Sequence, residues 1–281
     1  MRAPSSEYFT TLRNITQKKE RSELPRPCRT PAEDVVVDVS QDWVLACHVQ
    51  QRFMQGPGRN AGALDCGGRC RQVRVLGGDC YEFTTLTDDG LALVVGDASG
   101  KGLAAALMMA SVQSSLRTAA LFTANDLARL LKIVNVQAYN SSAADRYATL
   151  FYGVFDRAAQ TLRYVNAGHN PPVVLRDDGS VHWLEPSGAL VGMFADSDYE
   201  ESGLRLNPGD LVIGYTDGVV EATNPEGDEW GVQGLLRAAA AWAPRRPGAA
   251  QELVQWIFNS MDDFSRGCQT DDATVAVLRV V

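Results

Sequence analysis

Histidine is scarce: the 281 residues contain three, His48, His169 and His182, and none offers an evident general base for a serine nucleophile. A basic excess is also missing. Lys and Arg number 26 against 34 Asp and Glu, a formal charge of −8, which argues against a nucleic-acid partner because phosphate binding needs a basic surface. No apolar run reaches the ~18 residues of a membrane span. The longest candidate, 103–120, is interrupted by Gln113, Ser114, Ser115 and Arg117. The start, MRAPSSEYFTTLRN, has no apolar export core, so no membrane is expected as a partner and the cytoplasm is the expected location.

Cysteine is present but unpaired in pattern. The six are Cys28, Cys47, Cys66, Cys70, Cys80 and Cys268. Without an export signal, reduced thiols are expected rather than disulfides. Cys66 and Cys70 form a lone C-x3-C with no second pair and no nearby histidine, short of the four ligands a structural zinc needs.

Two nucleotide and hydrolase signatures are absent as well. The stretch LALVVGDASGKGLAAALMMA, 91–110, passes from an apolar strand through a glycine-rich loop into a small-residue helix. A phosphate loop needs G-x4-G-K-[ST], but Gly102 follows Lys101 and Val95 stands where the first glycine belongs. A nucleophile elbow needs G-x-S-x-G, and Ser99 lies in DASGK.

The apolar share of 45% with 21% charged residues suits a soluble chain long enough for a sizeable core. Residues 1–40 form a separate N-terminal segment. In it Tyr8, Phe9, Leu12 and Ile15 recur at helical spacing, before a charged and proline-broken linker. Residues 41–281 form the main domain, led by a helix over 41–56 with Ser40 as its N-cap and Val44, Leu45, Val49 and Phe53 along one side. Strands are expected at QVRVL, CYEFTTL, LALVVG, YATLFYGVF, TLRYVNA, PPVVLR, VHWLE, DLVIGYT and DATVAVLRVV, and helices over 102–121, 125–139 and 249–260. Strands that follow one another in hairpin-like runs favour antiparallel sheets flanked by helices, an α+β class, over a doubly wound fold.

What the chain does have is aspartate at the ends of its apolar strands. Asp79 follows two glycines in VLGGDCYEF, Asp97 ends LALVVGD, Asp217 ends LVIGYTD, and Asp271 with Asp272 precedes the last strand. Any single one reads as a turn residue. Four segments of this form suggest carboxylates converging at one end of a sheet core. Such a cluster repels itself unless a cation neutralises it, and hard oxygen ligands select magnesium, manganese or calcium.

GGDCYEF, GDASGKGLAAALMMA, RYATLFYGVFD, YVNAGHNPP, YTDGVVEA and DDATV occur in the order seen in SpoIIE/RsbU-type phosphatases. The chain therefore resembles these serine/threonine phosphatases of the metal-dependent protein phosphatase (PPM) superfamily from about Asp42 to Val281. The resemblance implies a four-layer α/β/β/α sandwich and two Mn²⁺ or Mg²⁺ ions. It implies that Asp97 bridges the ions, that the Ala98 carbonyl adds a ligand, and that Asp217, Asp271 and Asp79 complete the shells. Arg74, five residues before Asp79, takes the position of a phosphate-binding arginine in some members, or is a solvated strand residue. It implies phosphoserine or phosphothreonine hydrolysis, with a phosphorylated anti-sigma-factor antagonist as partner, and a homodimer through the N-terminal helices.

Some positions depart from that pattern or stand beside it. Cys80 and Glu82 replace an aromatic and an aspartate, and Glu82 would keep a ligand's charge on a longer arm. His169, between glycine and Asn-Pro-Pro, reads as a turn residue rather than a general acid, and Lys101 as a surface residue at a helix start. The alternative function is a non-catalytic binding module on the same fold, against which the four aspartates argue.

Overall fold

The computed structural model describes residues 39–54, 64–86, 90–123, 126–143, 145–242 and 249–281. The N-terminal helix with Tyr8, Phe9, Leu12 and Ile15, its linker and Cys28 lie outside them, as does the Ser40 side chain.

Helix α1 (Val39–Phe53) precedes β1 (Leu64–Arg71), β2 (Cys80–Thr85) and β3 (Leu91–Ala98). Two helices follow, α2 (Leu103–Thr123) and α3 (Leu127–Ser141). Then come β4 (Ala148–Asp156), β5 (Thr161–Ala167), β6 (Val173–Leu175), β7 (Val181–Trp183), β8 (Ser202–Arg205) and β9 (Leu211–Tyr215). The chain closes with α4 (Asp217–Val220), α5 (Gly231–Trp242), α6 (Ala250–Ser265) and β10 (Ala273–Val280).

The strands form two five-stranded sheets, β1-β10-β9-β6-β7 and β2-β3-β4-β5-β8, with antiparallel neighbours throughout. Period-two alternation explains how they stack. In β3, Leu91, Leu93 and Val95 face the other sheet, while Ala92 and Val94 face α2 and α3. In β10, Ala276, Leu278 and Val280 face inward, while Val275 and Val277 pack under α5 and α6. Strands buried on both faces must read as continuous apolar runs, and β3, β9 and β10 do. The expected four-layer α/β/β/α sandwich is the architecture observed.

Several expectations need correction. QVRVL is not a strand; the strand is the preceding LDCGGRCR, β1. Two glycines disguise it. Gly67 lies against the backbone of Gln251 in α6, and Gly68 lies against the Tyr81 ring across the sandwich, so neither position can carry a side chain. Strand β8 and helices α4 and α5 also lay outside the expected set. Cys66 and Cys70 alternate onto one face of β1, but four residues of strand separate them by about 13 Å. The five described cysteines are free thiols.

Helix α1 docks differently from its apolar pattern. Val44, Leu45 and Val49 are exposed. Contact is made instead by Cys47, whose thiol donates to the Val75 carbonyl at 2.9 Å, and by buried Gln50 and half-buried Phe53. Arg117 of α2 lies 5.0 Å over the Phe53 ring and donates to the Phe53 carbonyl at 3.2 Å.

Because Gly67 has backbone against it, Gly67→Ala is expected to cost about 1–3 kcal/mol of stability through overpacking. Urea unfolding followed by circular dichroism measures this.

Candidate metal centre

Asp79 stands just before β2, pointing into the gap between the sheets, and is 1% exposed. The facing sheet meets it with two hydroxyls. Thr216, after β9, and Thr274, in β10, each donate to its Oδ2 at 2.7 Å. The Thr274 amide in turn donates to the Thr216 hydroxyl at 2.9 Å. One buried carboxylate oxygen thus joins both sheets at the end of the sandwich.

Asp97 lies beside it, one register step from the end of β3, with the Ala98 amide donating to the Gly78 carbonyl at 3.2 Å. A Cβ on Gly78 would sit 2.7 Å from the Ala98 carbonyl oxygen and 3.1 Å from Asp97 Oδ1, so the absence of a side chain there admits the loop. Asp217 opens α4, and Gly218 after it has its Cα against the Asp272 carbonyl. The Asp271-Asp272 pair divides its work. Buried Asp272 accepts from the Val73 and Gly78 amides at 2.8 and 3.2 Å, holding the turn that presents Asp79. Asp271 faces outward and pairs with Lys101 at 2.7 Å.

The carboxylates feel one another. Burial first, then Asp79, Asp217 and Asp271, push the Asp97 pKa up. Burial also pushes Asp79 up, partly offset by the two threonine hydroxyls and reinforced by Asp272 and Asp217. Asp217 is raised by burial and by Asp271. The four sequence-predicted aspartates lie at the same end of the sandwich, and with the Ala98 carbonyl they are oxygen donors of the kind a hard divalent cation takes. Among the described residues, no three acidic, histidine or cysteine side chains already surround one point closely enough to hold a metal. The hydrogen bonds explain it. Asp79 Oδ2 is held by threonines, and Asp271 has Oδ2 on Lys101 and Oδ1 on the Asp272 amide.

The other candidates separate clearly. Arg74 is exposed at the rim, its guanidinium over Gly102 in the loop that carries Asp97. Glu82 is not a spare ligand. It alternates onto the helix side of β2, where Arg117 at 2.8 Å and the Thr84 hydroxyl at 2.6 Å hold it. His169 is buried, with Nδ1 2.9 Å from the Thr149 hydroxyl, and burial lowers its pKa to about 4. Cys80 is buried, and desolvation raises its thiol pKa well above the usual value, so it is inert. Lys101 is exposed as expected, yet it is engaged with Asp271.

Sequence reasoning passed over Thr216, Thr274 and Gln50, and named Asp272 without giving it a separate role. The two threonines sit in YTDG and DDAT, close to the acids, a signal that was available. Gln50 had none: its side chain donates to the Gly77 carbonyl at 2.7 Å from an otherwise polar stretch of α1.

Two stacked antiparallel sheets flanked by helices, with carboxylates gathered at one end, define the PP2C-type phosphatase fold. The SiaA-PP2C domain of Pseudomonas aeruginosa superposes with a TM-score of 0.73 at 20% identity, covering 86% of this chain and 96% of that one. PstP, solved in complex with 2 manganese ions, gives 0.57 at 16% identity over 78% of this chain and 98% of its own. The chain belongs to the SpoIIE family, Stage II sporulation protein E, whose model matches residues 87–281. Among its relatives, Protein IcfG of Synechocystis is 33% identical over 74% of this chain and 36% of its own length. Phosphoserine phosphatase RsbU of Bacillus subtilis is 26% identical over 86% of this chain and 71% of its own. The chain thus spans about a third of IcfG and about seven-tenths of RsbU.

Raised carboxylate pKa values make the metal-free fold pH-sensitive in a defined direction. Above the ordinary value near ~4, the unfolded chain has released protons that Asp79, Asp97 and Asp217 still hold when folded. Stability therefore falls as pH rises through that window. The melting temperature of chelator-treated protein is expected to be lower at about pH 8 than at about pH 5.5, and Asp97→Asn should flatten this slope. Thermal denaturation across pH checks both.

Proposed function

We propose that the chain is a phosphoprotein phosphatase that hydrolyses phosphoserine or phosphothreonine with two Mn²⁺ or Mg²⁺ ions held by Asp79, Asp97, the Ala98 carbonyl, Asp217 and Asp271. The observation that carries the reading is the placement of four aspartates at strand ends on one end of the sandwich, with Asp79 tied to Thr216 and Thr274 and Asp271 to Lys101, a concentration of negative charge that a divalent cation neutralises. Its SpoIIE family membership and the naming of RsbU as a phosphoserine phosphatase support the reaction class. Bound ions of this kind supply a water of lowered pKa and clamp phosphate oxygens during in-line displacement.

The chain's own residues supply the rest. Asp97 and Asp79 would help hold the ions, Asp79 with its Oδ2 fixed by Thr216 and Thr274. Arg74, at the rim and beside the Asp97 loop, would receive the phosphate with its planar fork of donors. His169 is enclosed and burial lowers its pKa, which argues against a proton-donor role toward the leaving serine.

The substrate we propose is a phosphorylated anti-sigma-factor antagonist. Support comes from similarity to RsbU and to the RsbU and RsbW domains of Rv1364c from Mycobacterium tuberculosis. Control is proposed to run through residues 1–40 and α1 as the dimerising element of the phosphatase domain that follows from 41. The exposed Val44, Leu45 and Val49 offer its apolar face, and Gln50 carries the state of the helix to Gly77.

Asp97→Asn is expected to abolish phosphate release from a phosphoserine protein while the fold survives, since removing one repelling carboxylate relaxes the site. Full turnover of this variant at saturating Mn²⁺ would refute the two-ion site. Loss of the buried Gln50 hydrogen bond in Gln50→Ala is expected to raise the Mn²⁺ concentration for half-maximal turnover about fivefold. Turnover across a manganese titration reads this directly.

A further inference from the structure

The loop that carries Asp97 ends in a lysine placed with unusual constraint. Gly100 and Gly102 on either side have φ of 93° and 78°, a left-handed backbone that glycine adopts freely. Between them Lys101 is turned across the end of the sandwich to the opposite sheet. There its ammonium meets Asp271 Oδ2 at 2.7 Å and donates to the Thr270 carbonyl at 3.2 Å. Asp271 Oδ1 takes the Asp272 amide at 2.9 Å. Both oxygens of this carboxylate are thus occupied by the chain itself.

The consequence is local and specific. While it holds Lys101, Asp271 has one oxygen committed to the ammonium and the other to the Asp272 amide. The ion pair is also accessible, with side-chain exposures of 44% for Lys101 and 38% for Asp271, so the ammonium can leave into water without a buried charge being stranded. Exposed pairs of this kind are weak, which suits a contact meant to be exchanged.

We propose that Lys101 is a tethered counter-cation of the metal centre: it neutralises Asp271 in the metal-free protein and is displaced by the incoming divalent ion. This rests on the reading of Asp271 as a metal ligand. Lys101 then acts on metal affinity as a competitor for one ligand, and on the metal-free fold as partial relief of carboxylate repulsion. A merely decorative surface pair would affect neither.

Calorimetric titration of Mn²⁺ into the chelator-stripped full chain tests it, using wild type, K101M, K101Q and K101R. Both neutral variants are expected to bind Mn²⁺ about two- to fivefold more tightly than wild type, with K101R close to wild type. Without metal, the neutral variants should melt at a lower temperature than wild type, with the difference closing at saturating Mn²⁺. Equal or weaker Mn²⁺ affinity in K101M and K101Q would overturn the role of Lys101 while leaving the metal site standing. No Mn²⁺ binding by wild type would overturn the metal reading and this inference together.

Discussion

One carboxylate oxygen sets the constraint under which the rest of the site is built. Asp79 Oδ2 accepts from Thr216 and Thr274, which belong to the sheet opposite β2. A charge buried between two sheets is costly unless polar partners surround it. Here the partners come from two strand termini, so the sandwich must close with β9 and β10 in the register that brings both threonines to the same atom. The neighbouring glycines follow from the same demand. Gly77 lies against the Asp272 carboxylate and Gly78 against Ala98 and Asp97, because a chain this close to two carboxylates has no room for a side chain.

Repulsion within the cluster is handled in three different ways. Asp79 is hydrogen-bonded, Asp271 is ion-paired, and Asp272 is turned aside to bind the Val73 and Gly78 amides. Asp97 and Asp217 receive less help, and burial beside the others raises both. The polar pattern at this end of the molecule is therefore a set of compensations for one concentration of negative charge. The other end of the sandwich settles a similar debt locally. There Asp210 takes the Arg176 guanidinium and the Asn207 and Asp177 amides.

Much of this arrangement was legible before any coordinates. Apolar strands ending in aspartate announce themselves because alternation and burial are written in the residue types, as in LALVVGD and LVIGYTD. The site's carboxylates followed from that pattern. What could not be seen depended on tertiary contact. LDCGGRCR looks like a loop by propensity, and only the backbone of α6 and the ring of Tyr81 explain why a strand needs its two glycines. Glu82 looked like a displaced ligand because strand parity had not been tied to a face; Cys80 and Glu82 share the helix side with Arg117. The apolar residues of α1 suggested a buried stripe, whereas Cys47 and Gln50 make the contact through backbone carbonyls that no sequence pattern marks.

The way α1 is fastened has a mechanical meaning. Its C-terminal end is pinned: the Phe53 carbonyl takes Gln113 at 3.1 Å and Arg117 at 3.2 Å, and Arg117 is itself anchored on buried Glu82. Gln50 and Cys47 lie about 5 and 9 Å from that pin along the axis, while the helix extends about 21 Å to Val39. Such a rod is a lever with its fulcrum at Phe53 and its short arm on the 75–77 turn. A swing of several ångströms at the far end arrives at Gly77 as about 1 Å, scaled by the ratio of the two arms. That is coarse motion geared down to fine adjustment, on the turn that leads directly into Asp79.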